Sequence, residues 1–176
     1  TKLTTLGFRG EALPSIAAVC QLEIVSRVAN IDAGTMLRIE NGNITARKPY
    51  PTPPGTSVTV SDLFHNIPAR RKHLKSAATE TTRIHALTAS YALAFLSVRI
   101  ILLGNNRTIF RSTGSGANED VLIAHLGAET ASQMLPVTSG DAKFKNVRVE
   151  GVVSPPSISR STRNNIVLLV NQRWIQ

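Results

Sequence analysis

The stretch that decides the fold is residues 6–20, LGFRGEALPSIAAVC. Gly7 and Gly10 bracket Phe8 and Arg9, Glu11 follows, and apolar residues then recur at helical spacing through Leu13, Ile16, Ala17 and Cys20. The pattern reads as a glycine-rich loop feeding the start of a helix. Glycine lets the backbone turn and lets another group approach closely, while a helix start offers unpaired N–H groups and the positive end of a dipole. Such a place suits a phosphate. It equally suits an ordinary capped loop, which is the better reading of a lone G-x-x-G, so the rest of the chain has to decide.

With 176 residues, 42% of them hydrophobic, the chain has the material for one large domain or two small ones. Twenty Lys and Arg against eleven Asp and Glu leave a net charge of +9, which favours a polyanionic partner: nucleic acid, nucleotide or an anionic surface. The single cysteine, Cys20, excludes an internal disulfide and reads as a buried thiol, in keeping with a reducing cytoplasm. No apolar run reaches membrane-spanning length and no signal-peptide pattern is present, so no membrane partner is expected. Lacking an initiator Met and ending on NQRWIQ, within what reads as a strand, the chain is expected to be an internal piece of a longer protein.

Downstream of the opening stretch, QLEIVSRV (21–28) alternates Leu22, Ile24 and Val28 against Glu23 and Arg27, the pattern of a half-buried strand. GTMLRIENGNI (34–44) repeats the alternation and turns at Asn41-Gly42, a hairpin signal. KPYPTPPGT (48–56) is a surface connection, and SVTVSDLF (57–64) gives another strand with Val58 and Val60 on one side. Antiparallel sheet is therefore expected. HNIPARRKHLKS (65–76) then predicts a short helix with Asn66 as cap and Pro68 in the first turn. ETTRIHALTASYALAFL (80–96) predicts a long helix with Ile84, Leu87, Tyr91 and Phe95 on one buried face. SVRIILLGNNRTIFRS (97–112) predicts a hairpin turning at 104–106. The glycine-rich TGSGAN (113–118) marks the best domain boundary. Beyond it Asn118 caps EDVLIAHLG, a shorter helix runs through ETASQML, and NVRVEGVV and NIVLLVNQRWI form strands around the loop SPPSISRSTRN.

Four cations, Arg70, Arg71, Lys72 and Lys75, crowd the predicted short helix with no compensating acid. A charge run usually solvates a helix face, yet this one is equally suited to phosphate contact. After Glu150 no acid follows, while Arg160, Arg163 and Arg173 remain, so two basic segments are available to one groove. Gly114 and Gly116 lack the spacing and the Lys-Ser/Thr ending of a P-loop and read as linker. His65, His73, His85 and His125 show no metal-ligand spacing and read as surface or packing residues. NIT and NRT match the glycosylation pattern, but nothing else points to secretion. No nucleophile–base or paired-carboxylate arrangement rises above background.

The combination settles what the single motifs leave open. LGFRGEAL near the start, GTSVTVSDLFHNIPARRKHLKS (55–76), and VNQRW (170–174) occur in the order and at about the intervals seen in the MutL family of DNA mismatch-repair ATPases, which the whole chain resembles. The resemblance implies an α+β chain of the fold shared with type II topoisomerases, heat-shock chaperone ATPases and histidine kinases. Residues 1–115 would be the later part of the ATPase domain, with ATP on an antiparallel sheet under a mobile lid. Residues 116–176 would begin a ribosomal-protein-like transducer domain.

By the same resemblance Gly7, Phe8, Arg9, Gly10 and Glu11 match the third nucleotide-binding motif, whose amides and arginine address the ATP phosphates. Gly55 and Thr56 match the fourth, with the threonine on a strand under the adenine. Arg71, Lys72 and Lys75 fall at basic, DNA-facing positions, and Arg173 matches the arginine of the usual VNGR. His65, Ile67 and Gln172 depart from the usual Tyr, Thr and Gly.

The first two motifs, carrying the water-activating glutamate, the magnesium-holding asparagine and the adenine-reading aspartate, have no counterpart in the chain. Nor has the transducer lysine that reaches the γ-phosphate. The chain alone is therefore expected to hydrolyse no ATP. The implied whole protein is a slow, Mg2+-dependent ATPase, a homo- or heterodimer in the cytoplasm or, in a eukaryote, the nucleus. It would bind DNA non-specifically and relay mismatch recognition from a MutS-type protein. The other classes weighed are a topoisomerase-like ATPase and a basic nucleic-acid-binding module without nucleotide chemistry. An upstream E-x-x-x-N helix would discriminate against the last.

Overall fold

The structure, a computed structural model, describes residues 7, 9–139, 147–159, 161 and 163–175. Phe8 and Arg160 lie outside the described residues. The chain divides into two compact units, residues 1–75 and 76–176.

The first unit opens with helix α1 (Ala12–Ala17) and continues into strands β1 (Gln21–Arg27), β2 (Gly34–Glu40), β3 (Asn43–Tyr50) and β4 (Gly55–Ser61), then helix α2 (Pro68–His73). The four strands form one antiparallel sheet in the order β3-β2-β1-β4. Helix α1 stops at Ala17 rather than running on to Cys20, because the chain must turn at 18–20 to enter β1. The periodicity nonetheless finds the right contacts: Ala17, Cys20 and Leu22 form the buried core of this unit, with Ile24 and Ile39 packed against them. Burial pushes the Cys20 thiol above its ordinary pKa, which makes it a poor nucleophile.

The β2–β3 connection is the expected tight turn. Asn41 and Gly42 both take positive φ, 49° and 79°, the geometry of the type I′ hairpin that matches strand twist. Asn66 does not cap α2. Ile67 holds the N-cap position without a side-chain bond, and Asn66 Nδ2 instead donates to Ala18 O at 2.9 Å and Asn41 Oδ1 at 3.0 Å. Gly42 N donates to Ala17 O and Phe64 N to Val19 O, so one knot joins the end of α1, the hairpin turn and the chain entering α2.

The second unit contains helix α3 (Ala77–Ala94), the hairpin β5 (Ile101–Gly104) and β6 (Arg107–Arg111), and helices α4 (Asn118–Leu126) and α5 (Ala128–Ser132). The hairpins β7 (Leu135–Thr138) with β8 (Glu150–Val153) and β9 (Leu168–Val170) with β10 (Arg173–Ile175) follow. Ser76 caps α3 through Thr79 N. The buried face of α3 is the small-residue one, Ala89, Ser90, Ala92 and Ala94, while Ile84, Leu87 and Tyr91 are exposed. This reverses the expected burial for Ile84, Leu87 and Tyr91 but not for Phe95, which is half-buried: small side chains allow close approach, and Ala89 and Ala92 pack with Phe110 and Val121 in the core, with Leu93 and Leu96 against them. Burying Phe110 contributes about 1.5–3 kcal/mol.

NIVLLVNQRWI is a hairpin, turning at Asn171-Gln172, and β7, which the sequence pattern missed, pairs with β8. Asn118 is the first residue of α4 rather than its cap. The turn before α4 is held instead by Asp120, whose carboxylate accepts from Thr113 Oγ1 and, at 2.5 Å, from Ser115 Oγ. These hydroxyls hold the Asp120 carboxyl below its ordinary pKa.

Candidate nucleotide and nucleic-acid sites

Gly7, Arg9, Gly10 and Glu11 lie together around an open concavity of about 540 Å³ that reaches Leu13 and Ser15 on α1. Gly10 has φ +67°, a conformation that favours glycine and turns the loop toward the helix. Glu11 occupies the N-cap position of α1 but makes no side-chain bond to the first turn. Ser15 Oγ turns inward, to Glu11 O at 2.7 Å and Ala12 O at 3.0 Å. The first-turn amides are thus not taken by a capping side chain, the condition an anion needs.

Thr56 lies on β4 of the same unit, opposite Ser26 of β1, with Ser26 Oγ and Thr56 Oγ1 2.8 Å apart. It does not line the concavity around Arg9. Pattern reading passed over Ser26. A signal existed: at position 26 the inward alternation of Leu22 and Ile24 calls for an apolar residue, and a hydroxyl stands there.

Arg71 and Lys72 are exposed on α2, and Lys75 follows in the link to α3. Arg70 shares the helix but sits 6.0 Å over the Phe64 ring, so part of the cluster serves packing. All the cations of α2 fall in its last turn, where they also complement the helix dipole. Arg173 is half-buried on β10 of the second unit, and Arg163 is exposed in a one-turn 3₁₀ helix (Arg163–Asn165). Among the described residues no cluster of three or more His, Cys, Asp or Glu is placed to hold a metal ion. His85 and His125 do meet, at 5.2 Å between ring centroids, with Phe110 edge-on to His85. No described helix is long and apolar enough to cross a membrane.

The comparisons with known proteins agree with one another. Residues 122–176 match the family described as DNA mismatch repair protein, C-terminal domain. The chain is 39% identical over 175 residues to the DNA mismatch repair protein MutL of Pelotomaculum thermopropionicum, covering 99% of the chain and 28% of the relative. To the MutL of Desulforudis audaxviator it is 43% identical over 172 residues, 98% of the chain and 30% of the relative. The chain is thus similar to MutL along nearly its whole length.

Among solved structures, the Aquifex aeolicus MutL ATPase domain complexed with ADP is similar with a TM-score of 0.77 and 27% identity, over 94% of this chain and 62% of that one. The α+β architecture of antiparallel sheet and helices is thus that of the MutL ATPase domains. The chain spans under a third of the length of these two MutL relatives. Gln172 occupies a turn position with φ +63°, a conformation that suits the glycine of the VNGR pattern the chain resembles.

Proposed function

We propose that in the full-length protein this chain forms part of a MutL-type ATP-dependent switch for DNA mismatch repair. The observation that carries the reading is the likeness to a MutL ATPase domain complexed with ADP, together with the glycine-bracketed Arg9 loop opening on the concavity at α1. Gly7, Gly10 and Glu11 offer backbone to the phosphates, Arg9 adds a charge-assisted contact, and Thr56 faces the adenine. ATP supplies its binding energy and a hydrolysable γ-phosphate. The chain's residues bind it and orient it. Mg2+ serves the same site, held by residues of the family's first motif, which this chain lacks.

Residues 1–115 are assigned to the later part of the ATPase domain and 116–176 to the start of the transducer domain. The family match beginning at residue 122 supports that division. ATP binding, followed by slow hydrolysis, closes the lid and brings subunits together as a homo- or heterodimer. The assembly relays recognition from a MutS-type protein in the cytoplasm, or in the nucleus of a eukaryote. Arg71, Lys72, Lys75 and Arg173 hold DNA through its phosphates, without sequence preference.

Titration calorimetry of the full-length protein and its Arg9→Ala variant tests the reading. A lost charge-assisted hydrogen bond, about 1.5–3 kcal/mol, weakens ATP binding tenfold or more. Circular dichroism is expected to stay unchanged, because Arg9 is exposed and buries no core. Unchanged ATP affinity in a folded variant rejects the assignment of the loop.

A further inference from the structure

Three rows of directly opposed residues cross one face of the first unit's sheet from β2 through β1 to β4. Two are aliphatic, Ile39–Leu22–Val60 and Leu37–Ile24–Val58, and the third is Thr35–Ser26–Thr56. Directly opposed residues of antiparallel strands point to the same face, so all three rows share it. Strand alternation would continue the aliphatic floor to positions 35, 26 and 56. Three hydroxyls stand there instead, beside a floor whose Val58 and Val60 are 49% and 45% exposed. Leu22 is buried with Ala17 and Cys20, and Ile24 and Ile39 pack against them, so the open part of the floor is its β4 side: there a purine ring lies over Val58 and Val60 and its hydrogen-bonding edge meets the stripe.

We infer that Ser26 is a positioning residue that holds the Thr56 hydroxyl in one orientation and so makes the nucleotide site prefer adenine to guanine. The inference rests on the reading of Thr56 as a base contact. A threonine hydroxyl has one proton and two acceptor positions. Either hydroxyl of the 2.8 Å pair can donate; in the arrangement the inference assigns, Thr56 donates to Ser26 and turns its lone pairs outward. Outward lone pairs accept from the 6-amino group of adenine and oppose the 6-carbonyl of guanine, acceptor against acceptor. A hydroxyl released from Ser26 rotates and donates to the carbonyl, so discrimination falls.

The test measures ATP and GTP affinities, by calorimetry, of the full-length protein and its Ser26→Ala, Ser26→Thr, Thr56→Val and Ser26→Ala/Thr56→Val variants. Taking both nucleotides on one preparation cancels any loss of folded fraction. The wild type binds ATP more tightly than GTP. Ser26→Ala lowers the ATP-to-GTP affinity ratio about tenfold, the worth of one hydrogen bond, and Ser26→Thr restores it. Because Ser26 acts through Thr56, the double variant matches Thr56→Val.

A ratio unchanged in Ser26→Ala, with Thr56→Val altering it, overturns the role of Ser26 and leaves Thr56 as a base contact. Additive losses in the double variant do the same. Thr56→Val with the affinity and ratio of the wild type removes the base-contact reading, and this inference with it. Equal binding of the two nucleotides by the wild type overturns the inference outright.

Discussion

Gly114 and Gly116 sit two residues apart in the same polar turn, both at positive φ, +77° and +88°, and alanine at each has a different consequence. A Cβ on Gly116 meets nothing within 4 Å, whereas one on Gly114 falls 2.8 Å from Arg99 N, 3.2 Å from Val98 C and 3.3 Å from Arg99 Cα. These are backbone atoms, so no flexible side chain can yield. The segment is pinned as well: Ser112 N donates to Ile100 O at 2.9 Å, Ile100 N to Ser112 Oγ at 3.0 Å, and Gly116 N to Leu96 O at 3.1 Å. For Gly116→Ala, left-handed strain of about 1–2 kcal/mol is offset by about 0.4–1 kcal/mol of lost unfolded-state entropy, leaving a net cost of about 1 kcal/mol. Gly114→Ala adds an overpacking cost of about 1–3 kcal/mol, for a total of about 2–4 kcal/mol. Urea unfolding followed by the fluorescence of Trp174, the single tryptophan and a residue of the second unit, measures both. Equal destabilisation, within about 0.5 kcal/mol, would refute the close approach at Gly114 and restore this turn as a loose linker.

Gln172→Gly is expected to stabilise the β9–β10 hairpin by roughly 0.5–1 kcal/mol, since the strain relieved at φ +63° exceeds the entropy glycine adds to the unfolded chain; hydrogen exchange of the β9 and β10 amides measures it. His125 has its pKa lowered by burial first and by His85 second, from an ordinary value of 6.5. The unfolded chain therefore takes up the proton first, so this contribution to stability is full above about pH 6.5 and is lost as pH falls. Urea midpoints from pH 7.5 to 5 should drop less steeply in His125→Leu, and an equal drop would show that His125 does not carry the dependence. In the full-length protein, Lys72→Glu/Lys75→Glu should flatten the log–log salt dependence of DNA binding by roughly 2 units and weaken binding to unrelated sequences alike. An unchanged slope, with charge reversal of Arg163 and Arg173 flattening it instead, would move the DNA contact to the second unit.

What the sequence determined by itself is whatever local chemistry dictates. Alternation at Leu22 and Ile24 specified β1, and Asn41-Gly42 specified the turn between β2 and β3, because few residues accept two successive positive φ values. Gly7–Glu11 before an apolar helix marked the candidate nucleotide loop, and Arg70–Lys75 the candidate DNA contact. The burial of α3 was not legible: its larger side chains fit the helical period as well as its alanines do, and only the close approach of neighbours selected the small face. Asn66 and Asn118 resembled caps because their chemistry suits one. Tertiary geometry gave Asn66 better acceptors at Ala18 and Asn41, and it began α4 one residue earlier. The hydroxyl row was hidden for the same reason, since residues 26, 35 and 56 are distant along the chain and only strand register sets them side by side. Backbone conformation follows from neighbours a few residues away, but partnership across a sheet or between helices depends on which surfaces the whole fold brings together.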